Sequence, residues 1–193
     1  MLRAFFFLLV CILLGSCGTS ATEPAVQSNY PGNVNSIIQA NCLGGDCHSK
    51  STTSNAGLDL STWEKMTNGS IYFNDVIPFT PVKSHLFGHV NTNRSLGPVL
   101  TPTMPLARNH LSAADQMTIF NWITQGAKSA DGKIPYSEAT KKIFVVNQNE
   151  DMVSIIDADT KRLIGIISVG SQYRPAAIAS MPDLQTFIVP IGT

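Results

Sequence analysis

Residues 42 to 48 read Cys42-Leu43-Gly44-Gly45-Asp46-Cys47-His48, and much of the remaining sequence makes sense as housing for them. Two thiols followed at once by an imidazole form the pattern that attaches a c-type haem, because the sulfurs bond the porphyrin edge while the adjacent histidine reaches the iron. The usual spacer has two residues, whereas Leu43 to Asp46 makes four. A longer spacer must loop outward, and Gly44 and Gly45 reach unusual backbone angles at little steric cost.

Upstream, Arg3 and the apolar run Ala4 to Leu14 have the charged start and short hydrophobic middle of an export signal. The run is too short to span a bilayer, which takes about 20 residues. It ends in Leu14-Gly15-Ser16-Cys17, which resembles the lipobox of bacterial lipoproteins. That resemblance implies cleavage before Cys17, lipid on Cys17, and a chain tethered to a membrane of the bacterial cell envelope, facing the periplasm or the cell surface. A plain secretory signal with an incidental cysteine is the alternative. Cys11 then leaves with the signal and Cys17 takes lipid, so Cys42 and Cys47 remain as a thiol pair in an oxidising compartment. A disulfide between them competes with haem attachment, although it has no use for His48. Zinc would draw on the same pair plus histidines, but no second cysteine pair remains to complete a familiar four-ligand site.

At 193 residues and 44% hydrophobic content the chain can bury one good core or two small ones. Thirteen basic side chains balance thirteen acidic ones without any basic run, which gives no reason to propose a nucleic-acid partner. Residues 17–30 are small and polar, as in a tether. Val34, Ile37 and Ile38 at i, i+3 and i+4 predict a helix from Asn33 to about Asn41 that delivers Cys42 at its end. Ser61 and Glu64 predict a capping box opening a short helix from Thr62 to Met66, with Trp63 in the core or against the haem wall. Ser84 to Val90 predicts another short helix with Leu86 and Val90 inward, and it places His85 and His89 four apart as secondary candidates for the iron. Thr101-Pro102-Thr103-Met104-Pro105 then presents a thioether on a proline-stiffened loop, a poor place for core filler. His48 and Met104 together make the axial pair that raises a haem's reduction potential. After Leu111, Ser112 and Asp115 mark a helix start, and Ile119, Trp122, Ile123 and Gly126 share one stripe. Gly126 there is expected to allow close approach to the helix carrying Ile37 and Ile38.

Residues 31–128 resemble the single-haem cytochrome c domains of exported bacterial proteins. The features in common are the C-x4-C-H site Cys42 to His48, the Gly57-Leu58-Asp59-Leu60-Ser61 segment, Met104-Pro105, Leu111-Ser-Ala-Ala-Asp115, and Trp122-Ile123 with Gly126-Ala127. The resemblance implies one haem c bound covalently through Cys42 and Cys47, with His48 and Met104 as axial ligands of its iron. It also implies electron exchange with a redox protein or a small-molecule donor or acceptor.

Residues 129–140 read as a linker. Beyond them Ile143-Phe-Val-Val146, Met152 to Ile156 and Leu163 to Ile167 are β-rich runs separated by polar turns, as in an antiparallel meander. Phe144-Val-Val-Asn147 is echoed by Phe187-Ile-Val-Pro190, and residues 141–193 resemble YVTN-family β-propeller repeats. The expected architecture is therefore mixed: signal 1–16, lipidated tether 17–30, an all-α haem domain 31–128, the linker, and all-β propeller blades 141–193 truncated at one end. One blade cannot bury both faces, so the chain is expected to be a fragment of a longer protein. Three functions compete: a c-type electron carrier, the haem domain of a larger propeller-containing oxidoreductase, and a non-haem surface binding module with a disulfide. No set of side chains outside the haem site forms a catalytic constellation.

Overall fold

Val34, Ile37 and Ile38 line one side of α1 (Gly32–Asn41), and Ile119, Trp122 and Ile123 one side of α4 (Ala113–Thr124). In the computed structural model, which describes residues 27–180 and 187–191, both stripes are buried and the two helices pack on each other. Helix α4 opens where expected, with the Ser112 hydroxyl accepting from the Asp115 amide at 3.1 Å. Two indole groups tie the far end of α4 into the core, Trp63 Nε1 donating to the Ala127 carbonyl and Trp122 Nε1 to that of Lys128, both at 2.8 Å. Tyr30, at the edge of the expected tether, is itself core and donates to the Thr62 carbonyl at 3.2 Å.

Two short helices complete this half, α2 (Trp63–Thr67) and α3 (His85–Val90). The cap of α2 sits one residue later than Ser61: the Thr62 hydroxyl accepts from the Lys65 amide, while Ser61 Oγ instead accepts from the Lys65 ammonium at 3.1 Å. Gly126 also serves a different neighbour. Its φ is +99°, and a methyl there would lie 2.9 Å from the ring of Phe79, so the close approach is to the Phe79 loop and not to α1. On α3, Phe87 is fully buried and meets Phe120 edge-on with centroids 5.2 Å apart. Phe87→Ala is expected to remove about 3–5 kcal/mol of stability, measured as a fall in the denaturation midpoint at unchanged slope.

The later residues form an antiparallel sheet of β1 (Lys142–Asn147), β2 (Met152–Asp157) and β3 (Leu163–Ser168) in that order, with an irregularity at Ile155/Ile156. Two further short strands, β4 (Ala179–Ser180) and β5 (Phe187–Ile188), pair with each other.

This corrects the expected fold class. Of the four helices only α1 and α4 exceed six residues, and Pro98, Pro102, Pro105 and the polar runs between helices hold the rest in 3-10 turns and loops. The described strands make a three-stranded antiparallel sheet and a separate two-stranded ladder. The architecture is thus a mixed helix-and-sheet arrangement, not an all-α domain followed by propeller blades. The echo of Phe144 at Phe187 misled because a four-residue β-rich match says nothing about pairing: β1 bonds to β2, whereas Phe187 bonds back to Ser180. The sheet also leans on the helical half. Arg162, at the turn into β3, donates from Nη1 to the Asn68 carbonyl at 2.7 Å, and Asn74 Nδ2 donates to the Leu163 carbonyl at 3.1 Å.

Candidate functional site

The last turn of α1 fixes the first thiol, since the Cys42 amide donates to the Ile38 carbonyl at 2.8 Å. The spacer then folds back on itself through a single 3-10 turn, Gly44–Asp46, and the His48 amide returns to the Cys42 carbonyl at 3.1 Å. Gly45 takes a left-handed φ of +66°, as the long spacer requires, and Asp46 takes one of +61°. Gly44 serves by its small size: a methyl there would lie 3.0 Å from Nη1 of Arg108. Cys42 is half-buried, Cys47 is exposed, and both are free thiols. Burial, and secondarily the neighbouring Cys47, push the Cys42 thiol up to about 12.

The Gly57-to-Ser61 segment is the strap that orients His48. Nδ1 of His48 lies 3.1 Å from the Leu58 carbonyl oxygen, and the Leu60 amide donates to the His48 carbonyl at 2.8 Å. A carbonyl only accepts, so Nδ1 carries the ring proton and Nε2 keeps its lone pair for a ligand. Asn55 staples the intervening loop. Its Nδ2 donates to the carbonyls of Cys47 at 2.6 Å and Lys50 at 2.8 Å, and its Oδ1 accepts from the amides of Thr52 and Gly57.

Cys42, Cys47, His48 and Met104 all line one cavity of about 470 Å³. Ile37, Ile38, Leu58, Leu86, Val90 and Ile119 make its walls, so it is the space left between α1, α3, α4 and the strap. That volume lies within the roughly 300–1,000 Å³ typical of small-molecule and cofactor sites. Met104 is half-buried against the core and held from behind, its amide donating to the His89 carbonyl at 2.7 Å. The His89 ring lines the same cavity, and its Nδ1 lies 2.8 Å from the Pro102 carbonyl, so α3 grips the methionine loop at two points.

His85 and His89, equal candidates in the sequence, separate here. His85 turns aside to pack on Phe73 with centroids 3.9 Å apart, while His110 is exposed and does not line the cavity. Trp63 belongs to the core. Cys17 and Cys11 lie outside the described residues. Pattern reading passed over Tyr72, Phe73, Asp75 and Arg108, all of which line the cavity. A signal for Asp75 was present in Asn74-Asp75-Val76-Ile77, where a charge borders an apolar pair and is itself only 5% exposed.

The loop bearing Ser70, Tyr72, Phe73 and Asp75 is clamped from outside by the sheet. Besides Asn68, Nη1 of Arg162 reaches the Phe73 carbonyl at 3.3 Å and Asn74 Oδ1 at 3.4 Å. Gly69 makes room for it, since a methyl there would lie 2.4 Å from the Phe73 oxygen and 2.7 Å from Arg162 Nη1 at a φ of +67°. Arg162→Ala is expected to speed amide hydrogen exchange at Ser70, whose amide donates to Asp75, while leaving the α4 amides unchanged. Equal protection at Ser70 in both proteins would show that the clamp is idle.

The donor set suits an iron porphyrin: two thiols at one edge, an imidazole with a free Nε2, a neutral thioether, and walls that are largely apolar. Among the described residues no three His, Cys, Asp or Glu side chains gather to hold a bare metal ion. A search of family models, of curated proteins and of solved structures finds no match to this chain.

Proposed function

We propose that the chain is an exported, lipid-anchored electron carrier that holds one covalently attached c-type haem. What supports this reading is the convergence of Cys42, Cys47, His48 and Met104 on one apolar cavity, with the His48 tautomer set by Leu58. Bound haem supplies a one-electron couple. Cys42 and Cys47 would hold it covalently, His48 would present Nε2 from the strap, and Met104 would present its sulfur from the loop gripped by His89. The largely apolar walls would limit water at a bound group, and the hydrogen bonds to His48 from the strap and to the Met104 backbone from α3 would hold both side chains in place. The Leu14-to-Cys17 signature supports a position at a membrane of the bacterial envelope, where a redox protein or small molecule would be its donor or acceptor.

The test is production in a bacterium able to mature cytochromes, followed by the visible spectrum of the reduced protein and extraction under denaturing conditions. Haem absorption that stays with the polypeptide after extraction is the expected result. A colourless protein with Cys42 bonded to Cys47 would end the proposal.

A further inference from the structure

Asp75 is a carboxyl group set in the wall of the same cavity. It is 5% exposed, with Oδ2 accepting from the Ser70 amide at 2.7 Å, and its own carbonyl accepts from the Leu86 amide at the start of α3. Titratable groups surround it from several elements. His85 and His89 face it from α3, both half-buried. The Tyr136 phenol donates to the adjacent Val76 carbonyl, and Arg162 bonds to neighbouring Asn74. His48, the two cysteines and Arg108 line the cavity with it.

We propose that Asp75 couples proton uptake to electron uptake at this site, an inference that rests on the haem reading above. When a one-electron donor reduces the centre, one negative charge is added to a largely apolar cavity. Asp75 carboxylate answers by taking one proton from solvent, forming an O–H bond, and gives it back when the electron leaves. Charge in the cavity is thereby kept constant. The physical cause is the low dielectric, in which two nearby additions of negative charge repel far more than in water. Burial already raises the Asp75 carboxyl above the ordinary aspartate value, the Ser70 hydrogen bonds and the histidines pulling the other way. Burial likewise lowers His85, which favours its neutral form.

Spectroelectrochemical titration of the haem-loaded full chain at a series of pH values tests this. The midpoint potential is expected to fall as pH rises, with a slope approaching about 59 mV per unit, the value for one proton per electron. Below the window Asp75 is protonated in both oxidation states and above it in neither, so the potential flattens on both sides. Asp75→Asn, which can still accept from the Ser70 amide, is expected to abolish the slope. If that variant does not accumulate, Asp75→Glu is expected to keep the slope and move the window. A wild-type potential independent of pH overturns the inference and leaves the haem reading standing. So does a slope that survives Asp75→Asn, as it would if a carboxyl of the cofactor carried it, or a window unmoved in Asp75→Glu. A protein without haem overturns both.

Discussion

Replacing Cys42 and Cys47 together by serine is expected to leave no haem on the polypeptide after denaturing electrophoresis, a complete loss against the native chain. The single variants are expected to differ. Thioether formation draws on the thiolate, and Cys47 is exposed on the outward-looping spacer while burial pushes Cys42 up to about 12. Cys42→Ser therefore keeps a singly attached haem through Cys47, whereas Cys47→Ser relies on the less reactive thiol and retains less. Both singles keep His48 and its strap, so molecules that lack a thioether are still expected to bind haem reversibly before denaturation. Equal retention in the two singles would mean that burial of Cys42 does not govern attachment. Undiminished retention in the double variant would mean that the thiols take no part.

What could be read from the chain was whatever depends on near neighbours. The stripes of α1 and α4, the Ser112 cap and the three β-rich runs are periodic or local, and each lies where its pattern placed it. Cys42, Cys47, His48 and Met104, grouped in the sequence by their chemistry, line one cavity. What escaped depends on distant pairing. Arg162 meets Asn68 across 94 positions, and no local pattern marks either partner. His85 and His89 are equivalent by spacing, and only the packing of Phe73 against one and Pro102 against the other separates them. Asn55 reads as one more polar loop residue until its four hydrogen bonds to the loop backbone are seen. The propeller expectation failed for a related reason, because strand composition resembles itself wherever sheets occur while register is decided by partners.

Met104→Leu is expected to lower the reduction potential by on the order of 0.1 V, a modest part of the ~0.8 V that axial ligation can span. Leucine has nearly the same volume and no lone pair, so the wall is kept and only the sulfur's preference for the ferrous state is lost. The loop itself should stay in place, because its grip on α3 runs through the Met104 amide and the Pro102 carbonyl, neither of which the substitution removes. With the sixth position open, carbon monoxide or imidazole is expected to bind the variant and not the native protein. An alternative outcome is specific. His89 lines the cavity with its Nδ1 proton committed to Pro102, so its Nε2 lone pair is available. A variant that takes on a bis-histidine spectrum and refuses carbon monoxide would show that α3 supplies a replacement ligand from the element that holds the methionine. If the potential is unchanged and nothing external binds, the sulfur was never on the iron, and the second ligand must come from His85, His89 or His110. His89 is then the first to test, being the one of the three that lines the cavity.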